Sequence, residues 1–276
     1  MGRYERPPKL EDALEILDSG RYAILAGGTD FYPARADRAF EEDVLDVTAI
    51  TDLRGIGEEA GQWRIGPLTT WSDLIAAKLP PLFDGYKKAA REVGGIQIQN
   101  AGTLAGNLCN ASPAADGTPN LLVLDADVEL SSRRGTRRVS IRDFVTGNRS
   151  TLCDRSEMVT AILIPKPKGR ARSTFVKLGA RKYLVISIVM VAVVIEEDPL
   201  GHIGTARIAV GSCSAVPRRL EMLESAQRGA PLGQAVSRVD PKHLAGLSPI
   251  DDVRGTAFYR RDAAVEVAKR ALAELA

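Results

Sequence analysis

The chain has 276 residues, of which 45% are hydrophobic and 26% charged, with a formal net charge of +2. That length carries two domains and a substantial core, and the composition is that of an ordinary globular protein. The near-neutral balance gives no support to a large nucleic-acid surface. The first residues lack the apolar core of a signal peptide, and the longest apolar run, Leu184–Ile195, is too short to span a bilayer, so a cytoplasmic chain without membrane insertion is expected.

Leu10, Ala13, Leu14 and Leu17 fall at i, i+3, i+4 and i+7, which predicts a half-buried helix over 10–18 that Gly20 ends. Tyr22–Ala26 reads as a short strand running into the turn Gly27-Gly28-Thr29-Asp30. A glycine pair after a strand permits positive φ and exposes consecutive N–H groups, a setting that suits an anion. A plain strand-to-helix turn explains it equally well. It is not the GxGxxG dinucleotide fingerprint, because the third glycine and the downstream acidic residue are missing. Phe31–Arg38 is read as a second helix and Asp43–Val47 as a second strand, giving an α/β unit with parallel neighbours.

Trp63–Gly66 reads as a strand, Thr70 and Ser72 as caps of a helix that Pro80-Pro81 stops, and Leu82–Val93 as a further helix ending at Gly94-Gly95. Next comes Ala101–Asp116, with no amphipathic period. Gly102, Gly106 and Pro113 interrupt it, small side chains admit close approach to the backbone, and Thr103, Asn107, Asn110, Ser112 and Asp116 supply short polar groups. This is the chemistry of a ligand cradle; the alternative is a Gly- and Asn-rich surface turn. Two such small-residue segments in one chain suit a pyrophosphate, which has two ends to hold.

Asn120–Asp125 and Val128–Leu130 are apolar runs. The basic turn Arg133–Arg138 is read as a solvated hairpin tip, with a phosphate contact as the alternative. Ile141–Asn148 reads as a short helix and loop, and Glu157–Ile164 as a strand ended by Pro165. Lys166–Arg172, basic and full of breakers, is the candidate linker. Beyond it, Thr174–Leu178 and Arg207–Gly211 read as strands and Tyr183–Ile195 as a buried helix or strand. A helix is expected to begin at Pro217–Leu220, and a closing helix to run over Asp262–Leu275 with Asp262 as its cap.

Cys109, Cys153 and Cys213 are far apart and form no CxxC pair, so no zinc or iron–sulfur site assembles locally. His202 and His243 read as exposed histidines. With no Ser-His-Asp or Cys-His arrangement, any redox chemistry falls to a cofactor.

Taken together, Ala26-Gly-Gly-Thr-Asp30 and Thr103-Leu-Ala-Gly-Asn107 with Asn110-Ala-Ser-Pro-Ala-Ala-Asp116 resemble the FAD-binding medium subunit of the molybdenum hydroxylases, the family of xanthine dehydrogenase and carbon monoxide dehydrogenase. Weaker points of resemblance are Trp63–Gly66, Asp143-Phe144, Glu157–Pro165 and Phe175–Lys177. Lys177–Arg181 with Ile186–Ile188 is most similar to the bacterial xanthine dehydrogenase type. The resemblance covers essentially the whole chain.

It implies an α+β protein. An FAD-binding domain of the vanillyl-alcohol oxidase type, over 1–167, would comprise two α/β subdomains of about 1–55 and 56–167, followed by a smaller α+β domain over 168–276. The resemblance places non-covalent FAD between the subdomains, with Ile24, Leu25, Ala26, Gly27, Gly28, Thr29, Asp30 and Phe31 wrapped around the pyrophosphate. Thr103, Ala105, Gly106 and Asn107 approach from the other side, with Asn110 and Asp116 near the ligand. Val93 and Val159 supply apolar flavin contacts, and Lys177 reaches toward the ring. No catalytic side chain and no metal ligand of its own is implied. The 2Fe-2S clusters and the molybdopterin would sit on a small and a large partner subunit, in a dimer of heterotrimers.

Ala105 stands where many members have glycine. Leu184-Val185 replace acidic residues near the flavin, which speaks against NAD as acceptor and leaves dioxygen, a quinone or another carrier. A self-contained FAD oxidoreductase and a nucleotide-binding module without redox role are the alternatives.

Overall fold

The computed structural model describes residues 2–35 and 41–276. The first unit is β1 (Tyr4–Glu5), α1 (Leu10–Ser19), β2 (Tyr22–Leu25) and β3 (Asp43–Asp46). Its strands lie in the order β1-β3-β2, all parallel. Parallel strands require crossover connections, and α1 carries the chain from β1 to β2 on the far side of β3. The expected period holds: α1 buries Ala13 and Leu17 in a cluster with Leu45, Val47, Ile50 and Leu53. β1 has two residues before a Pro-Pro pair, too few to carry a pattern. The second helix expected over Phe31–Arg38 is a single 3-10 turn at Pro33–Arg35, and residues 36–38 lie outside those described.

The second unit runs through β4 (Ile56–Glu59), β5 (Gln62–Ile65), α2 (Trp71–Ala76), α3 (Asp84–Glu92), α4 (Ile96–Ala101), α5 (Leu104–Asn110), α6 (Gly117–Val123), β6 (Asp127–Ser132) and β7 (Gly135–Ser140). It closes with α7 (Ile141–Phe144), β8 (Val145–Gly147), β9 (Ser150–Thr151) and β10 (Met158–Pro165). Strands β4-β5-β10-β6-β7 form one antiparallel sheet, and β8-β9 a small hairpin. Thr70 does cap α2: its hydroxyl accepts from the Asp73 N–H at 3.2 Å, and the Asp73 carboxylate accepts from the Thr70 N–H at 2.9 Å. The basic turn is a hairpin tip, where Arg133 pairs with Glu15 at 3.5 Å and Arg137 with Glu157 at 2.7 Å.

The third unit is β11 (Ala171–Leu178), β12 (Val189–Glu197), β13 (Ile203–Gly211), β14 (Arg218–Arg219), α8 (Glu221–Gln227) and α9 (Ala257–Ala273). Its antiparallel sheet follows the order β11-β12-β13-β14. Every side chain from Val189 to Ile195 is fully buried, because both faces of β12 are covered. Met190, Ala192 and Val194 pack into the cluster of the second unit, with Trp71, Tyr86 and Leu121. Val189, Val191, Val193 and Ile195 pack against α8 and α9. The choice between buried helix and strand thus resolves as strand, and burial on both faces explains why no alternation marks it. Pro217–Leu220 contributes a short strand, and the helix starts at Glu221. α9 begins at Ala257 under a Thr256 cap rather than at Asp262; Phe258 and Tyr259 are exposed and the first buried side chain is the polar Arg260, so no apolar period marks the helix start. No helix among the described residues is long and apolar enough to cross a membrane.

Candidate functional site

A cleft of about 560 Å³ separates the first unit from the second. Its first wall carries Ile24, Ala26, Gly27, Gly28, Thr29, Asp30 and Phe31. Its second carries Val93, Thr103, Ala105, Gly106, Asn107, Asn110 and Val159. The two small-residue segments therefore face one another, as two holds on one elongated ligand require.

The Gly27–Asp30 turn leaves β2 at its C-terminal end. Gly28 has φ of +71°, where an L side chain is strained. A Cβ at Gly27 would lie 1.9 Å from the Ala101 carbonyl oxygen of the opposite wall. Gly27 is thus required by the contact between the walls themselves, a role the sequence reading did not distinguish from exposing the backbone. The N–H groups of Gly27, Gly28, Thr29 and Asp30 donate to no acceptor among the described residues. Successive unpaired N–H groups bordering a cleft are a preformed anion-binding concavity.

Across the cleft, the glycine segment is more regular than expected, since most of it is helix α5. Leu104 and Leu108, one turn apart, bury one face in the core, while Thr103 caps the helix by accepting from the Gly106 N–H at 3.0 Å. The Leu104 N–H donates to the Thr69 carbonyl at 2.9 Å, which pins the helix start to the loop before α2. Ala105 lies within the helix, buried at 5% exposure, so its methyl is accommodated where a glycine was anticipated. Apolar surface comes from Val47, Leu68, Trp71, Val93, Ile98, Met158 and Val159, the kind of wall a planar ring stacks on. The donors on one wall and the apolar surface on the other fit a flavin dinucleotide.

Three expected residues do not line the cleft. Leu25 is buried because strand alternation turns it inward where Ile24 turns outward. Asp116 and Lys177 meet each other instead, Nζ to Oδ2 at 2.6 Å, both side chains 6% exposed. The Ser187 hydroxyl donates to Asp116 Oδ1 at 2.6 Å, and Lys177 Nζ to the Glu92 carbonyl at 3.4 Å. Burial pushes the Asp116 carboxyl up, and the charge and hydrogen bond of Lys177 oppose that. The pair ties the third unit to the second beneath the cleft. Breaking a buried pair from one side leaves a charge without its counterpart, which costs about 3–5 kcal/mol. Lys177→Met should therefore lower the melting temperature by roughly 10 °C, and adding Asp116→Asn should restore most of the loss. Equal melting temperatures for wild type and Lys177→Met would remove this role.

Leu184 and Val185 also stand apart from the cleft lining. Leu184 is exposed with φ of +52°, its carbonyl accepting from the Arg181 guanidinium at 2.5 Å. Cleft residues that sequence reasoning missed include Trp71, Ile98, Met158, Cys109, Cys153, Arg35 and Arg149. Cys109 lies inside the cradle segment, between Asn107 and Asn110; the others come from separate elements and share no local motif. Burial pushes the Cys153 thiol up to about 12, and it donates to the Glu157 carbonyl at 3.4 Å, so it stays protonated and unreactive.

Residues 1–167 match the FAD-binding domain in molybdopterin dehydrogenases, and residues 174–275 the carbon monoxide dehydrogenase flavoprotein C-terminal domain. The chain is 34% identical to the nicotinate dehydrogenase FAD-subunit of Eubacterium barkeri, over 82% of this chain and 79% of the relative. It is 30% identical to the xanthine dehydrogenase FAD-binding subunit of Escherichia coli O157:H7, over 98% and 94%. The solved structure of reconstituted CO dehydrogenase from Oligotropha carboxidovorans superposes with a TM-score of 0.88 at 29% identity, covering 99% of this chain and 96% of that one. A cleft with anion-binding N–H groups on one wall and an apolar surface on the other, in a chain matched along nearly its whole length, places this protein among the FAD-binding subunits of the molybdenum hydroxylases, of the xanthine and carbon monoxide dehydrogenase type.

Proposed function

We propose that the chain holds FAD non-covalently between its first two units and serves as the electron outlet of a larger hydroxylase. Partners would be a small subunit carrying 2Fe-2S clusters and a large subunit carrying molybdopterin, assembled as a dimer of heterotrimers. The observation that carries the reading is the run of unpaired N–H groups from Gly27 to Asp30 facing α5 across the cleft. These groups and Thr103 would hold the phosphates, and Val93, Met158 and Val159 would shield the ring from water. Bound FAD supplies one- and two-electron transfer, which no side chain of the chain provides. Among the described residues, no group of three His, Cys, Asp or Glu side chains could hold a metal ion, so the centres that oxidise substrate would belong to the partners. We place the boundary between the FAD-binding part, 1–167, and the C-terminal part, 168–276, at the basic segment that leads into β11.

No histidine lines the cleft, so no histidyl link to the flavin is available there. Acid precipitation of the flavin-loaded protein should release all yellow colour to the supernatant. Colour retained in the washed pellet would mean a covalent adduct and would overturn this part of the reading.

A further inference from the structure

We infer that Arg149 is a cofactor-binding residue, its guanidinium taking the diphosphate of the dinucleotide from the side opposite the Gly27–Asp30 turn; the inference rests on reading the cleft as the FAD site. Arg149 sits in the two-residue turn between β8 and β9, where Gly147 pairs with Ser150. Its φ of +58° lies in the left-handed region, which a long side chain enters at a cost. The Arg149 N–H donates to the Ala111 carbonyl at 3.0 Å, which pins the turn to the end of α5. From this anchored backbone the side chain crosses the cleft. Nη1 donates to Asp30 Oδ2 at 2.7 Å and also to Asn110 Oδ1, so one guanidinium touches both walls.

Charge carries the argument further. Among the described residues, the Asp and Arg side chains that line the cleft are Asp30, Arg35 and Arg149. Arg35 is already engaged: it pairs with Glu42 at 2.7 Å, donates to the Phe31 carbonyl at 3.0 Å and lies 3.9 Å over the Phe31 ring. Asp30 ends the run of unpaired N–H groups, so an anion held there meets a carboxylate. Arg149 is the cation placed to offset it. Only Nη1 of its donors is engaged among the described residues, which leaves Nε and Nη2 for phosphate oxygens, and a planar fork matches two of them. As a purely structural ion pair it has little to do: the Arg149 and Asp30 side chains are 54% and 51% exposed, and such pairs contribute little to stability.

The test titrates the full-length FAD-free chain with FAD and with riboflavin, which has the ring but no diphosphate. Arg149→Met should weaken FAD at least tenfold, leave riboflavin affinity within twofold, and leave the melting temperature of the FAD-free protein unchanged. Arg149→Lys, which keeps the charge but not the fork, should fall between. Wild-type FAD affinity in Arg149→Met overturns the inference while leaving the FAD reading intact. An equal loss of FAD and riboflavin, or a lowered melting temperature without ligand, also overturns it, because the residue would then act by shaping the cleft. A wild-type chain that binds no FAD overturns the FAD reading and this inference with it.

Discussion

Gly27→Ala is expected to cost at least ~100-fold in FAD affinity, about 2.7 kcal/mol. The added methyl would lie 1.9 Å from the Ala101 carbonyl oxygen and 2.6 Å from its carbon. Both are backbone atoms at the end of α4, which adjoins the pinned start of α5, so no side chain can swing aside. The first parallel sheet must back away from the opposite wall, and both holds on the ligand then lose their spacing. Overpacking of this kind also costs stability, typically 1–3 kcal/mol, so the melting temperature should fall with the affinity. Gly28→Ala makes the informative comparison. There the neighbour is the Tyr32 ring, 2.8 Å from the added atom, which can rotate, and the remaining cost is that of a left-handed alanine, about 1–2 kcal/mol. The Gly27 variant should therefore be the more damaged of the two by both FAD titration and thermal melting. Wild-type affinity in Gly27→Ala would show that the walls move freely and that their contact does not set the site.

The second large effect concerns turnover. The FAD-loaded chain by itself should oxidise aldehydes or purines about a thousandfold or more slower than the assembled hydroxylase. Its flavin should still bleach with dithionite and recover with an electron acceptor. Among the described residues, the titratable side chains lining the cleft are Asp30, Arg35, Cys109, Arg149 and Cys153. Asp30 is bound to Arg149, Arg35 to Glu42, and the Cys109 and Cys153 thiols are both pushed up to about 12, so none of them stands ready as a general base. Mixing with the two partner subunits should restore substrate-driven bleaching. Bleaching by substrate at a catalytic rate with this chain alone would instead make it a self-contained oxidoreductase.

Much of this was legible in the residues. The apolar period of Leu10–Leu17 and the Thr70 cap mark elements whose local chemistry decides them, and each stands in the structure where it was read; the stretch read as a linker over Lys166–Arg172 is shorter, because β11 begins at Ala171. The two small-residue segments were legible as a pair because their composition is a local property and their similarity to a family motif needs no contact information. Most of the expected cofactor residues accordingly line one cleft. Where side chains are small, a short helix has little amphipathic signal, so α5 was hidden inside its own motif.

What remained was decided by tertiary packing. Strand β12 shows no alternation because its two faces belong to two different cores, and only the assembled sheet assigns Met190 to one and Val191 to the other. Asp116 and Lys177, far apart in the chain, become a buried pair only because the third unit packs on the second. Gly27 has to be glycine because of Ala101, which belongs to another element. Arg149 carries no motif: a hairpin turn, an anchored N–H and the width of the cleft bring its guanidinium to Asp30 and Asn110. Sequence alone therefore determined which local segments could hold a dinucleotide, since backbone freedom and side-chain size are written residue by residue. Which charges meet across the cleft was settled by long-range packing, because an ion pair depends on distances that no stretch of sequence contains.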